Sequence, residues 1–467
     1  MNNNNLLKIS KFLLYLAPLT LIIVYQGSIF PFIVGKYAFF RTIILLALIF
    51  FVWGWATTES RKFPVKSKSS HAKSVLDDWK TTIRSPLVIA VSIFVLIFLL
   101  AGIFGYNPHA SFWSNYERGE GGLQMLSLFI FFGLLVLLFR DMASWRRIFI
   151  ISLWAGALCI AYGASAALHA NGFLGDGFCQ RFAGSLGNAA YLGTYMIFAA
   201  FYAAYLFVGE RKAWKRWFLL ALIVLFLFFL FLSQTRGAFL GVSAAIAFGL
   251  IYLVFSLPLR NHRLIALGVL IALAILGGLL FTFRHSIDLM PFCGASSNPR
   301  ILDVSVTTTN FQTRLLLWQQ SIKAFKERPL LGWGPENFSI AFEKYFDVRQ
   351  STAWFDRAHN IFFDYLVFSG ALGLLSFIGI FATLYVRFFK FNRKKNIPEE
   401  KNNKKNSSAP SPNQFTFEKA LLFSLPIAYL VQGLVLFDVL PIYINIFLFL
   451  AFANFKLNEL LGEQPVN

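Results

Sequence analysis

Charge is scarce in this chain: 14% of its 467 residues are Asp, Glu, Lys or Arg, against about 25% in soluble domains. Together with a hydrophobic share of 57% and a mean hydropathy of +0.63, that shortage excludes an ordinary soluble globular protein. Cysteine is scarcer still, at three residues, which excludes a disulfide-built scaffold. The six histidines form no HxxxH or HExxH pair, so spacing offers no metal site, and no GxxxxGK[ST] loop is present to cradle a nucleoside triphosphate. Acidic residues number 22 against 42 basic ones, a net charge of +20. In a soluble protein this excess would suggest nucleic acid; here the placement of the charges gives a better explanation.

What the chain has is long apolar runs. A membrane-crossing helix needs about 20 apolar residues, and such runs stand near 12–30, 37–57, 86–105, 122–139, 148–168, 189–208, 216–233, 237–256, 264–283, 361–386, 420–437 and 440–455. The pattern predicts an all-α polytopic membrane protein with about 12 transmembrane helices. Spans one to nine fill 1–283, a large loop occupies 284–360, and spans ten to twelve with a linker over 387–419 complete the chain. The charged start, Met1 to Lys11, leads into an apolar run without a small-residue cleavage site, so the first span is expected to be retained.

Roughly two thirds of the Lys and Arg fall in alternate loops, among them RKFPVKSKSSHAK, RDMASWRR, GERKAWKRW, LPLRNHR and RFFKFNRKKNIPEEKNNKKN. Positive loops stay in the cytoplasm, so both termini are expected there and the 284–360 loop outside. Lys394 to Asn413, rich in Lys, Asn, Ser and Pro, reads as a disordered cytoplasmic linker whose charges set topology and meet anionic lipids, with no nucleic-acid partner. This topology puts Cys179 and Cys293 outside and Cys159 within a span. A disulfide between the outer two and a pair of free thiols both fit.

The chemistry is expected on the outer face. A loop of about 75 residues is far beyond the usual connection length and needs a purpose. Within it, TRLLLWQQSIKAFKERP sets Leu315, Trp318, Ile322 and Phe325 at helical spacing, an amphipathic helix that lies on the membrane surface or caps the bundle. Pro329 ends it, and LLGWGPENF supplies residues suited to tight turns. His359 closes the loop at the mouth of a span, with Asn360, Asp356, Arg357 and Asp364 nearby to orient an imidazole or tune its basicity. Arg236 sits in a very short outer turn at bilayer depth. It either snorkels to anchor a helix end or clamps an anion in a cavity. Arg181 lies in the glycine-containing segment QRFAGSLGN, where backbone can approach a ligand closely; Arg314 and Arg357 add positive charge in the long loop.

Taken together, SQTRGAFLGV, RFAGSLGNAAYLGTY, TRLLLWQQSIKAFKERPLLGWGPENF and AHNIFFDYLVFSGALG resemble, in order, spacing and common side of the membrane, the motifs of the O-antigen ligase family. That family also includes O-antigen polymerases and protein O-oligosaccharyltransferases. Thr235 stands where many relatives have serine, and Ser369 where an acidic residue is common. The resemblance implies a GT-C-like fold in a bacterial cytoplasmic membrane. It also implies metal-independent, inverting transfer of a glycan from undecaprenyl diphosphate to an acceptor hydroxyl on the periplasmic side, without ATP or another cofactor. Partners would be the lipid-linked donor, a glycan, lipid or protein acceptor, and membrane lipids. In such a reaction His359 is expected as general base, with Arg236 and Arg181 on the diphosphate, and Arg314, Arg357, Asn360 and Asn188 as substrate-binding residues.

Two rivals remain open. A polymerase would use the same donor and differ only in acceptor. A lipid-linked glycan transporter belongs to another class; coupled transporters often place ionisable groups deep in their spans, whereas Asp364 and Asp438 lie near span ends. Ligase is the favoured reading, with glycan, linkage and acceptor left open.

Overall fold

The computed structural model describes residues 3–59, 82–169, 181–283, 309–350, 354–393 and 412–461. Helices α1 to α15 run Asn3–Leu16, Val34–Glu59, Pro86–Ile103, Pro108–Trp113, Gly122–Leu138, Met142–His169, Ala189–Gly209, Ala213–Leu232, Arg236–Ser256, Arg260–Thr282, Thr309–Glu327, Phe338–Lys344, Ile361–Arg393, Pro412–Gly433 and Leu440–Leu461. No strand occurs among the described residues, and ten helices there are long and apolar enough to cross a membrane. The protein is an all-α polytopic membrane protein. All twelve expected hydrophobic segments are helical. α5 is a shorter apolar helix, and α14 opens on the polar run PNQFTFEK. The first span lies earlier than expected, over Asn5–Ile22, because the chain tightens into a 3-10 turn at Ala17–Ile22, with Pro18 near its start, and then leaves the helix. Cys179, Cys293 and the linker from 394 to 411 lie outside the described residues; Cys159 is buried in α6.

The chain divides into two compact units. The first comprises Met1–Ile151, Thr313–Arg393 and Phe437–Asn467. At its centre α15 is almost wholly buried, as a helix apolar on every side must be; its Phe447 and Phe452 meet Phe132 and Phe149 edge to face, and Phe452 meets Trp145 at a tilt. Arg387 is buried yet satisfied, donating to Ser85 and Asn458 at 2.7 Å each. α13 is broken at Gly370, whose φ of 62° and ψ of −161° leave the helical region. A Cβ there would meet the Leu330 carbonyl group, because the segment 329–334 runs along the break and takes up its backbone groups: Ala371 N donates to Pro329 O at 2.8 Å, and Trp333 N to Val367 O at 2.8 Å.

The second unit comprises Ser152–Gln312 and Lys394–Leu436, with α7 as its most buried span. α9 packs closely against α14 through Gly237 and Gly241, where a Cβ would reach Val435 and the Ala428 carbonyl. α10 keeps its apolar side chains exposed, as suits a helix facing lipid.

Candidate functional site

In the first unit the site is built from two connections between helices. The shorter, between α3 and α5, folds as the one-and-a-half-turn α4 because Asn107 accepts from Ala110 N at 3.1 Å and Pro108 opens the helix. The longer contributes the GWGPEN turn after α11, which needs left-handed backbone at Gly332 and Gly334. A Cβ on Gly334 would meet Gly105 Cα and Ser111, so glycine is what lets the two connections touch. Tyr106 N donates to Trp333 O at 2.7 Å, Ser111 Oγ to Pro335 O at 2.8 Å, and Asn337 Nδ2 to Ser111 Oγ at 3.0 Å.

That seam aligns charges. Buried Arg357 meets Glu336 at 2.5 Å and Glu120 at 3.2 Å, and Ser114 Oγ donates to the other Glu336 oxygen at 2.6 Å. Beside it, Arg118 makes a two-pronged pair with Asp356. Burial opposes the ionised forms of Glu120, Asp356 and Arg357, and the outcomes differ by partner. Burial pushes Glu120 up to about 7 against the charge of Arg357. Asp356, although also disfavoured by burial, is held below the ordinary carboxylate range by the Arg118 hydrogen bonds and the charge of Arg357. Arg357 stays protonated in spite of its burial because Glu336 and Glu120 face it.

His359 stands next to this cluster with φ at 52°, a conformation few side-chain-bearing residues adopt. Its ring packs against Phe355 (5.6 Å between centroids) and Phe437 (5.1 Å), and the Arg118 guanidinium lies 5.2 Å from the Phe437 ring centre. Nδ1 is buried with no hydrogen-bond partner among the described residues. Burial first, then the charge of Arg314 on α11, pulls the imidazole down to about 4, against a smaller opposing effect of Asp356. At neutral pH the ring is therefore uncharged and able to accept a proton. Asn360 caps α13, accepting from Phe362 N at 2.9 Å.

In the second unit, Arg181 and Arg236 converge on one turn. Arg181 donates from Nε to Ser233 O and from Nη2 to Thr235 Oγ1, each at 3.1 Å, and Phe182 N donates to Leu232 O at 3.1 Å. The Thr235 hydroxyl is directed to Ala189 O at 3.1 Å, so it leaves the first turn of α9 without a side-chain cap. Arg236 is the first residue of that helix and half-buried. Asn188 caps α7 through Ala190 N at 2.8 Å.

The structure thus gathers His359, Asn360, Arg357 and Arg314 in the first unit, and Arg181, Asn188 and Arg236 in the second. Asn188 and Asn360 are helix caps, and Arg357 is the hub of a buried ion network; none of these three roles was expected. Arg118 and Glu120 were missed altogether. SNYERGEGG carries both in a connection short enough to be passed over, and only the fold shows their partners.

A family profile described as O-Antigen ligase matches residues 221–378, which takes in Arg236, Arg314, Arg357, His359 and Asn360. The chain is also 25% identical over 173 residues to a general O-oligosaccharyltransferase of Acinetobacter baylyi, covering 36% of this chain. It spans 29% of that relative's length.

Proposed function

We propose that this chain is a member of the O-antigen ligase family and a membrane glycosyltransferase that moves a glycan from undecaprenyl diphosphate to an acceptor hydroxyl outside the cytoplasmic membrane. The observation that carries the reading is the pairing of Arg181 and Arg236 on one turn, where Arg181 braces the Ser233 carbonyl and the Thr235 hydroxyl just before Arg236. Guanidinium forks match phosphate oxygens in pairs, and the uncapped N–H groups at the start of α9 favour the same negative charge.

In the reaction, the acceptor oxygen attacks the anomeric carbon while the bond from that carbon to the phosphate oxygen breaks. The electron pair goes to the diphosphate, held by Arg236 with Arg181, and the hydroxyl proton goes to neutral His359. Displacement in one step inverts the anomeric centre. A diphosphate is a good leaving group and needs no strong acid, whereas a hydroxyl is a poor nucleophile and gains from a base.

Lipid A–core is the favoured acceptor. A second reading, a serine or threonine hydroxyl of a protein, is supported by the similarity to a relative named as a general O-oligosaccharyltransferase. Purified protein incubated with an undecaprenyl-diphosphate oligosaccharide and either lipid A–core or acceptor protein, with products identified by mass spectrometry, separates them. Growth of the lipid-linked glycan alone would mean polymerase. Movement across liposome bilayers without a new glycosidic bond would mean transport and would sink the proposal.

A further inference from the structure

A catalytic histidine is commonly aimed by a hydrogen bond to its far ring nitrogen. His359 has none among the described residues: Nδ1 is buried without a partner, and the ring is walled by the apolar rings of Phe355 and Phe437. Its direction therefore depends on the backbone that carries it. That backbone is fixed from two sides at the preceding residue. The Asp364 carboxylate accepts from Ala358 N at 2.6 Å, and the Trp318 indole donates to Ala358 O at 3.0 Å. Ala358 O belongs to the peptide joining Ala358 to His359, so Trp318 sets the plane from which the left-handed His359 departs. Trp318 is itself held, stacked on Phe363 with centroids 5.5 Å apart and planes at 15°. Ala358 is fully buried against Leu317, the residue before Trp318 on α11.

Resting on the assignment of His359 as the base, we propose that Trp318 and Asp364 are positioning residues that aim the His359 imidazole by clamping the two peptide groups of Ala358. Neither touches substrate. Asp364 acts here as a hydrogen-bond acceptor, a job that an amide oxygen can also do, and Trp318 acts as a donor, a job that phenylalanine cannot do although it preserves the stack on Phe363. The amphipathic helix of the long loop thereby becomes part of the catalytic apparatus, not only a cover.

The test uses the full chain in nanodiscs with an undecaprenyl-diphosphate oligosaccharide and lipid A–core, together with an assay independent of turnover: the rate at which diethyl pyrocarbonate modifies His359, followed on its peptide by mass spectrometry. Trp318→Phe and Asp364→Ala are expected to lower kcat about 10- to 100-fold with donor KM little changed, since small misplacements of a reacting group cost that much. Both should speed modification of His359, and Asp364→Asn should restore kcat and the parental modification rate. Loss of activity in Asp364→Asn equal to that in Asp364→Ala would mean that charge matters and would overturn the clamp. Parental kcat and parental modification in Trp318→Phe and Asp364→Ala would overturn it as well. Parental turnover in His359→Ala would remove the base assignment instead, while the modification rates would still report whether the clamp exists.

Discussion

Arg118 and Asp356, 238 positions apart, are joined by two hydrogen bonds, Nε to Oδ2 at 2.6 Å and Nη2 to Oδ1 at 3.0 Å. The pair ties the connection between α3 and α5 to the turn that carries His359, and the same guanidinium covers the Phe437 ring on which His359 packs. Both side chains are mostly buried, so removing one leaves the other with weaker compensation, from Glu117 at 3.7 Å for Arg118 and from the charge of Arg357 for Asp356. Asp356→Ala is expected to lower stability by about 3 kcal/mol, as for other broken buried pairs. The double variant Arg118→Ala/Asp356→Ala should lose less than the sum of the single losses. Additive losses in thermal unfolding in detergent would show that the pair carries no coupling.

Glu120 gives the stability a pH dependence of defined sign. Burial raises its pKa to about 7, above the ordinary carboxylate value, so the folded chain binds this proton more tightly than the unfolded chain does. The associated stability is fully present below about pH 4.5 and is lost as pH rises through about 7. Glu120→Gln keeps an oxygen for Arg357 and removes the titration, while Glu336 still faces Arg357. The parent protein should thus lose melting temperature between pH 6 and pH 8 by more than Glu120→Gln does. Parallel curves for the two proteins over that interval would contradict the assignment.

The architecture was legible from the sequence wherever the signal was local. Apolar runs near the length of a bilayer crossing and alternating basic loops are short-range patterns, and so is the 3.6-residue spacing of Leu315, Trp318, Ile322 and Phe325 that becomes α11. His359, Arg181 and Arg236 stood out because each is a polar residue at the edge of an apolar span. The ion network was not legible. Arg357 meets Glu120 across 237 positions, and nothing in either neighbourhood names the other. Asn188 and Asn360 could have been recognised as caps, since each immediately precedes a helical run, but their position beside the expected site residues drew a ligand-binding reading instead. The break at Gly370 depends on the distant segment 329–334, which nothing in the glycine's own neighbourhood announces.

Arg236→Lys separates charge from geometry. A lysine keeps one positive charge at the start of α9 but offers no planar fork for two phosphate oxygens. Turnover is expected to fall about 10-fold or more, a loss on the scale of one charge-assisted hydrogen bond, with folding unchanged. Arg181→Lys should be milder toward the donor and harsher on stability, because Arg181 also braces Ser233 O and Thr235 Oγ1. Donor affinity and turnover at parental levels in a correctly inserted Arg236→Lys protein would exclude a diphosphate role.

His359 makes the sharpest prediction, because its environment fixes both its protonation and its pH profile. The ring is pulled down to about 4 by burial and by Arg314, with Arg118 adding to the effect and Asp356 opposing it. The free enzyme therefore holds the base form across the neutral range, and kcat/KM should show no acid limb from His359 between pH 5.5 and pH 8, the limb lying near 4. For stability the sign is the depressed-pKa case. The contribution of the neutral imidazole is present above about pH 6.5 and is lost as pH falls through about 4. Arg314→Ala removes a positive charge facing the ring, so it should move the limb upward. His359→Ala should insert and bind the lipid-linked donor while transferring glycan at a rate lowered by about 100-fold or more. Parental turnover in that variant under chemistry-limited conditions would assign the proton to another group. Asp356 would then be the next to test, since it is the carboxylate closest in sequence to His359 and is held ionised by Arg118.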